Sequence, residues 1–154
     1  MAYSYKNLGK TIIAGFVATH ITTFWGYVET GVGLPRLDLL TAVGVKIVPE
    51  GVSAAFTYNW GAVFHYLDGI IFALLYDRFF YSRLPGHDIF RGLVYGILIW
   101  IGSGLVYLPL VGAGLFGAAR GGHFLWSIMI WHLVWGLALG VFYFGTKAAA
   151  GEKQ

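Results

Sequence analysis

Gly92 to Gly112 and Phe124 to Gly145 contain no Asp, Glu, Lys or Arg. A stretch of that length without charge is long enough, at about 1.5 Å per helical residue, to cross about 30 Å of hydrocarbon. Two more stretches come close to the same character, giving spans at about 11–31, 58–76, 92–112 and 124–145. A soluble helical bundle would need polar faces that these segments lack. Over all 154 residues the hydrophobic share is 58% and the charged share 11%, where a soluble domain carries about 25% charged residues. The expectation is one all-α integral membrane domain over residues 1–154, a four-transmembrane-helix bundle. Met1 to Lys10 runs into the first span without a small-residue cleavage site, and reads as an uncleaved start.

Basic residues orient the spans. Lys6, Lys10, Arg78, Arg83, Arg91, Lys147 and Lys153 fall on one side, while Arg36, Lys46 and Arg120 fall on the other. Both termini are therefore expected in the cytoplasm and the chain in the cytoplasmic (inner) membrane. In the first outer loop Pro35 can open a helix and Pro49 would stop it. Leu37, Leu40, Val43, Ile47 and Val48 share a face there, which predicts a short amphipathic helix lying on the outer surface or capping the bundle. The second outer loop, Gly112 to Gly122, is glycine-rich but lacks the Gly-Lys-Ser/Thr ending of a phosphate loop, and reads as a turn.

The second and fourth spans carry one pattern twice. His65, Gly69, Ala73 and Tyr76 align without a gap on His132, Gly136, Gly140 and Tyr143. Residues three and four apart share a helix face, so each set lies on one stripe. The first and third spans match more weakly, Ala14-Gly15-Phe-Val against Arg91-Gly92-Leu-Val. The chain thus reads as two tandem helical hairpins related by an axis along the membrane normal, unlike the inverted repeats of many transporters. That placement sets His65 and His132 at one depth.

Several ionisable residues fall inside the spans, where they are expensive. His20 lies near 14 Å from the cytoplasmic side, Asp68 near mid-membrane, and His65 and His132 near 11 Å from the outer side, counting about 1.5 Å per residue. Glu29 and His123 lie near the outer surface, with Asp38 beyond. His65 and His132 could be axial ligands of one haem b, with Gly69, Ala73, Gly136 and Gly140 leaving room for the ring. His20, His65, Asp68 and His132 together are a nitrogen and oxygen set suited to a metal. Asp68 flanked by His65 and His20 could relay protons or ions. Against all three stands plain packing. Gly69 to Ala73 and Gly136 to Gly140 are small-xxx-small patterns that let helices approach, and a nearby His can bond across such a contact.

There is no cysteine, hence no disulfide and no thiolate chemistry. No nucleophile elbow, His-Glu-x-x-His or dinucleotide fingerprint is present. No basic patch interleaved with aromatics suggests nucleic acid. No catalytic residue is assigned.

Ala14-Gly15, Ala18-Thr19, Leu34-Pro35 with Asp38, His65 with Gly69, Leu84-Pro85-Gly86, Arg91-Gly92, Pro109, Gly114-Leu115-Phe116 and His132-Leu-Val-Trp-Gly136 resemble an uncharacterised family of small four-span prokaryotic integral membrane proteins. The similarity runs from about Thr11 to Tyr143. It implies one helical membrane domain and no activity. The functional expectation is a non-catalytic accessory subunit or partner of a larger membrane complex, respiratory or otherwise redox, touching lipid and either other subunits or copies of itself. A haem electron carrier and a proton or ion conductor are the rival expectations.

Overall fold

The computed structural model describes residues 5–143, all helix, turn and loop, with no strand among them. The last two residues assigned to the fourth span, Phe144 and Gly145, lie outside them, as do Lys147 and Lys153. Helix α1 spans Tyr5–Val28 and tightens into a 3₁₀ turn over Glu29–Val32. Helix α2 spans Leu39–Ile47, α3 Ala54–Leu75, α4 Asp88–Gly102, α5 Leu108–Leu110 and α6 Gly122–Phe142. Wider π-helical turns extend α3 over Tyr76–Phe80 and join α4 to α5 over Ser103–Tyr107. The second of these lies just before Pro109. A proline has no N–H to give and its ring crowds the carbonyl four residues back, so an extra residue in the turn relieves the fit.

Among the described residues three stretches are long and apolar enough to cross a membrane: Leu8–Val32, Asp88–Leu110 and Gly122–Phe142. Helix α3 is long enough but more polar, because Tyr58, Asn59, His65, Tyr66 and Asp68 dilute it.

Helix α1 packs along α3 and α6, and α6 along α4. Small residues make each seam. A Cβ on Gly15 would come 2.7 Å from the Cβ of Ala73, and one on Gly69 would run into Thr19. On the other side of the molecule, a Cβ on Gly92 would come 2.7 Å from the amide nitrogen of Gly140, and one on Gly96 would run into the His132 carbonyl. Residue numbers run in opposite senses across both contacts, so each pair is antiparallel. In the sequence pattern Gly15 aligns with Gly92 and Ala73 with Gly140, and the helices meet at these positions on both sides. Backbone approach of this kind replaces the hydrophobic driving force that lipid cannot supply between helices.

Asp38 caps α2, its carboxylate accepting from the Thr41 amide at 3.4 Å. The helix thus starts three residues beyond Arg36 and stops before Pro49, inside the bracket set by the two prolines. It lies antiparallel along the first turns of α3, where Gly44 meets Thr57 and Gly61 meets Leu40. Between α5 and α6, Phe116 holds a left-handed backbone at φ 50°. For a residue with a side chain that costs about 1–3 kcal/mol. The ring is retained because it fills the space beside Gly104, where any Cβ would strike it, and packs at a tilt 5.1 Å from Trp100. The glycine-rich loop is used for turning the chain.

Candidate functional site

Two tryptophans on α6 reach across to α1. Trp135 donates its indole N–H to the Thr19 hydroxyl at 3.1 Å, and that hydroxyl donates to the Gly15 carbonyl at 2.8 Å. One turn nearer the start of α6, Trp131 donates to Oε2 of Glu29 at 2.7 Å. The other oxygen of Glu29 accepts from the Leu37 amide at 2.6 Å. Glu29 is fully buried, and each carboxyl oxygen has one N–H. It pins the segment after the 3₁₀ turn against α6. Gly26 is the position that admits this, since a Cβ there would meet the Trp131 ring.

His65 lies partly buried on α3, its ring 6.5 Å from that of Trp131. Its Nε2 is buried and has no hydrogen-bond partner among the described residues. His132 points Nδ1 at the Ile128 carbonyl, 2.7 Å away. That nitrogen must carry the proton, which leaves Nε2 as a base with its lone pair free. The two imidazoles are within electrostatic range of each other.

His20 and Asp68 go elsewhere. His20 faces outward from α1, and its Nδ1 pairs with the Tyr66 hydroxyl of α3 at 2.8 Å. Asp68 is exposed on α3, within electrostatic range of Tyr95 and Tyr107. His65 and His132 are therefore brought near one another, while His20 and Asp68 do not join them. Among the described residues no three His, Asp or Glu side chains converge as a metal-ligating group. The space that Gly69, Ala73, Gly136 and Gly140 were expected to leave for a ring is filled: Gly15 and Thr19 occupy it on one side, Gly92 and Gly96 on the other.

At the far end of the helices four tyrosines cluster. Tyr76 is fully buried and packs 5.0 Å from Tyr95 and 5.2 Å from Tyr143. Tyr143 donates to Asp77, and Tyr81 donates to Asp88 at 3.0 Å. Arg91 ties the group together: its guanidinium stands 4.9 Å over the Tyr81 ring, approaches Asp88 at 3.4 Å and donates Nε–H to the Leu84 carbonyl at 2.8 Å. Burial, and then the bond to Asp88, raise the Tyr81 phenol above its ordinary value. Tyr95 donates to the Phe72 carbonyl at 2.9 Å, linking α4 to the foot of α3.

Sequence reasoning singled out the histidines and Asp68, placed Glu29 near the outer surface without a role, and gave no structural role to Thr19, Trp131, Trp135 or Tyr66. One signal was present. Trp131 and Trp135 lie four apart in the interior of an apolar span, away from the interface where indoles usually sit, and a buried indole N–H needs an acceptor.

No family model matches the chain, and no curated protein or solved structure is significantly similar to it.

Proposed function

We propose that this chain is a four-span bundle of two tandem hairpins in the cytoplasmic membrane, with both termini inside, and that it works as a non-catalytic subunit of a larger membrane assembly such as a redox complex. We further propose membership of the group of small four-span prokaryotic membrane proteins that its motifs resemble. The charge bias of the loops supports the orientation.

The observation that carries the reading is the outward-facing pair His20 and Tyr66, bonded at 2.8 Å and exposed. His20 is the central residue of the apolar stretch Leu8–Val32. Lipid offers no partner to the remaining polar atoms at that depth, and such groups normally face protein. A covering protein surface satisfies them. Gentle solubilisation followed by sizing and identification of co-purifying chains tests the assignment. A stable complex is expected; a lone monomer would overturn it.

The second reading is a haem b electron carrier. It is favoured by His65, whose buried Nε2 has no partner among the described residues, and by His132, whose Nδ1 is held by the Ile128 carbonyl so that Nε2 is left for axial ligation; the ring would have to lie outside the closed seams at Gly69 and Gly136. A visible spectrum of the purified protein decides it. A Soret band lost in both His65→Ala and His132→Ala supports ligation; no band, or one indifferent to both changes, removes it.

A further inference from the structure

We propose that the partner covering the α1–α3 groove is a second copy of this chain; the inference rests on the assembly reading above. The outer edge of that groove carries Phe16, His20, Thr23 and Tyr27 from α1, spaced four, three and four, with Tyr58 and Tyr66 from α3. Two polar bridges cross it. His20 pairs with Tyr66 at 2.8 Å, and the hydroxyls of Tyr27 and Tyr58 pair at 3.0 Å. Large side chains stand exposed beside them, with Phe16 49% and Tyr27 60% accessible.

What identifies the occupant is the hydrogen-bonding that each bridge leaves over. If Tyr66 donates to Nδ1 of His20, the pair retains one donor, Nε2–H, and one acceptor, the phenol oxygen. If His20 donates from Nδ1, the pair again retains one acceptor, Nε2, and one donor, the phenol O–H. Either tautomer presents one of each. The Tyr27–Tyr58 bridge does the same, because one of its two protons is used and one is free. A surface offering one donor and one acceptor side by side is complementary to its own image across a twofold axis. Copies of one chain insert with the same orientation, so the twofold runs along the membrane normal and groups of equal depth meet. His20–Tyr66 of one copy then faces His20–Tyr66 of the other, and two intermolecular hydrogen bonds close the set. A foreign helix would have to reproduce the same pattern at the same depths.

The chain contains no cysteine, so single-cysteine variants report without a background. In phosphatidylcholine vesicles Thr23→Cys is expected to crosslink to a covalent dimer, and Val106→Cys, on the exposed face of the π-helical turn after α4, is not. His20→Phe and Tyr66→Phe are each expected to weaken self-association about tenfold, measured by energy transfer between labelled chains, with helix content unchanged; two lost interhelical bonds account for that amount. Equal crosslinking at Thr23 and Val106, or affinity unmoved by both substitutions, would overturn the proposal. If Thr23→Cys is instead shielded from a membrane-permeant maleimide by a co-purifying foreign chain, the second copy is refuted and the assembly reading survives. If it is freely alkylated in a monomer with no companion, both fall.

Discussion

The indole of Trp135 and the hydroxyl of Thr19 meet at 3.1 Å, joining residues 116 positions apart. Thr19 also fills the space beside Gly69, so this one contact touches α1, α3 and α6. Thr19→Val and Trp135→Phe are each expected to destabilise the folded protein by about 1–3 kcal/mol. Their coupling in a double-mutant cycle is expected at about 0.6 kcal/mol, up to about 1.7, the range of hydrogen bonds between membrane helices. Reversible unfolding in mixed micelles measures it; strictly additive effects would show that the bond contributes nothing.

The seams lead to a contrast between glycines. Gly69→Ala and Gly136→Ala put a methyl group into a backbone or side chain of the facing helix, and each is expected to cost about 1–3 kcal/mol. Gly102 lies in α4 with nothing within 4 Å of its Cβ direction. Gly102→Ala is therefore expected to be neutral or to stabilise by up to about 1 kcal/mol. Comparable losses at all three positions would mean that helix approach is not what the small residues serve.

Glu29 separates loss of charge from loss of acceptors. Glu29→Ala leaves the buried indole N–H of Trp131 and the half-buried amide of Leu37 unpaired. At about 1–3 kcal/mol for each unsatisfied group the expected loss is about 3 kcal/mol. Glu29→Gln retains one acceptor oxygen and is expected to lose about half as much. The Leu37 amide should exchange with deuterium faster in both variants. An unchanged exchange rate in Glu29→Ala would show that the segment is held down by something else.

Tyr81 contributes to a decline in stability at alkaline pH. Its phenol is raised in the folded protein by burial and by Asp88, whereas in the unfolded chain it ionises near pH 10. The folded state then holds its proton more tightly, so the stability Tyr81 contributes is complete below about pH 10 and is lost as pH rises through the folded value. Tyr81→Phe should make the alkaline decline in melting temperature shallower, and lower stability at neutral pH by about 1 kcal/mol through the lost bond to Asp88. Parallel pH profiles for the two proteins would dismiss Tyr81 as the group responsible.

The rods and their small-residue stripes were legible in the chain. Uncharged runs marked α4 and α6, two prolines bracketed α2, and the recurrence of His, Gly and a second small residue marked the matching faces of α3 and α6. The rotation of each rod was not. Residues on α1 and α6 are apolar nearly all round, so no stripe tells inside from outside. Depth could be counted from the span ends, and the grouping of His20 with His65, Asp68 and His132 rested on depth alone. Azimuth separates them: His20 turns out toward Tyr66, and Asp68 is exposed. Glu29 looked like a surface residue because its partner, Trp131, comes 102 positions later; no local pattern announces such a contact.

Because Gly15 meets Ala73 and Gly92 meets Gly140, each half of the polypeptide owns both sides of its closest joint. The connection at Leu84–His87 therefore links two units already stapled internally, and the bonds from Trp131 and Trp135 to Glu29 and Thr19 stitch the units together. Loss of either indole is therefore expected to loosen one unit from the other while the contacts at Gly15 and Gly92 stay closed.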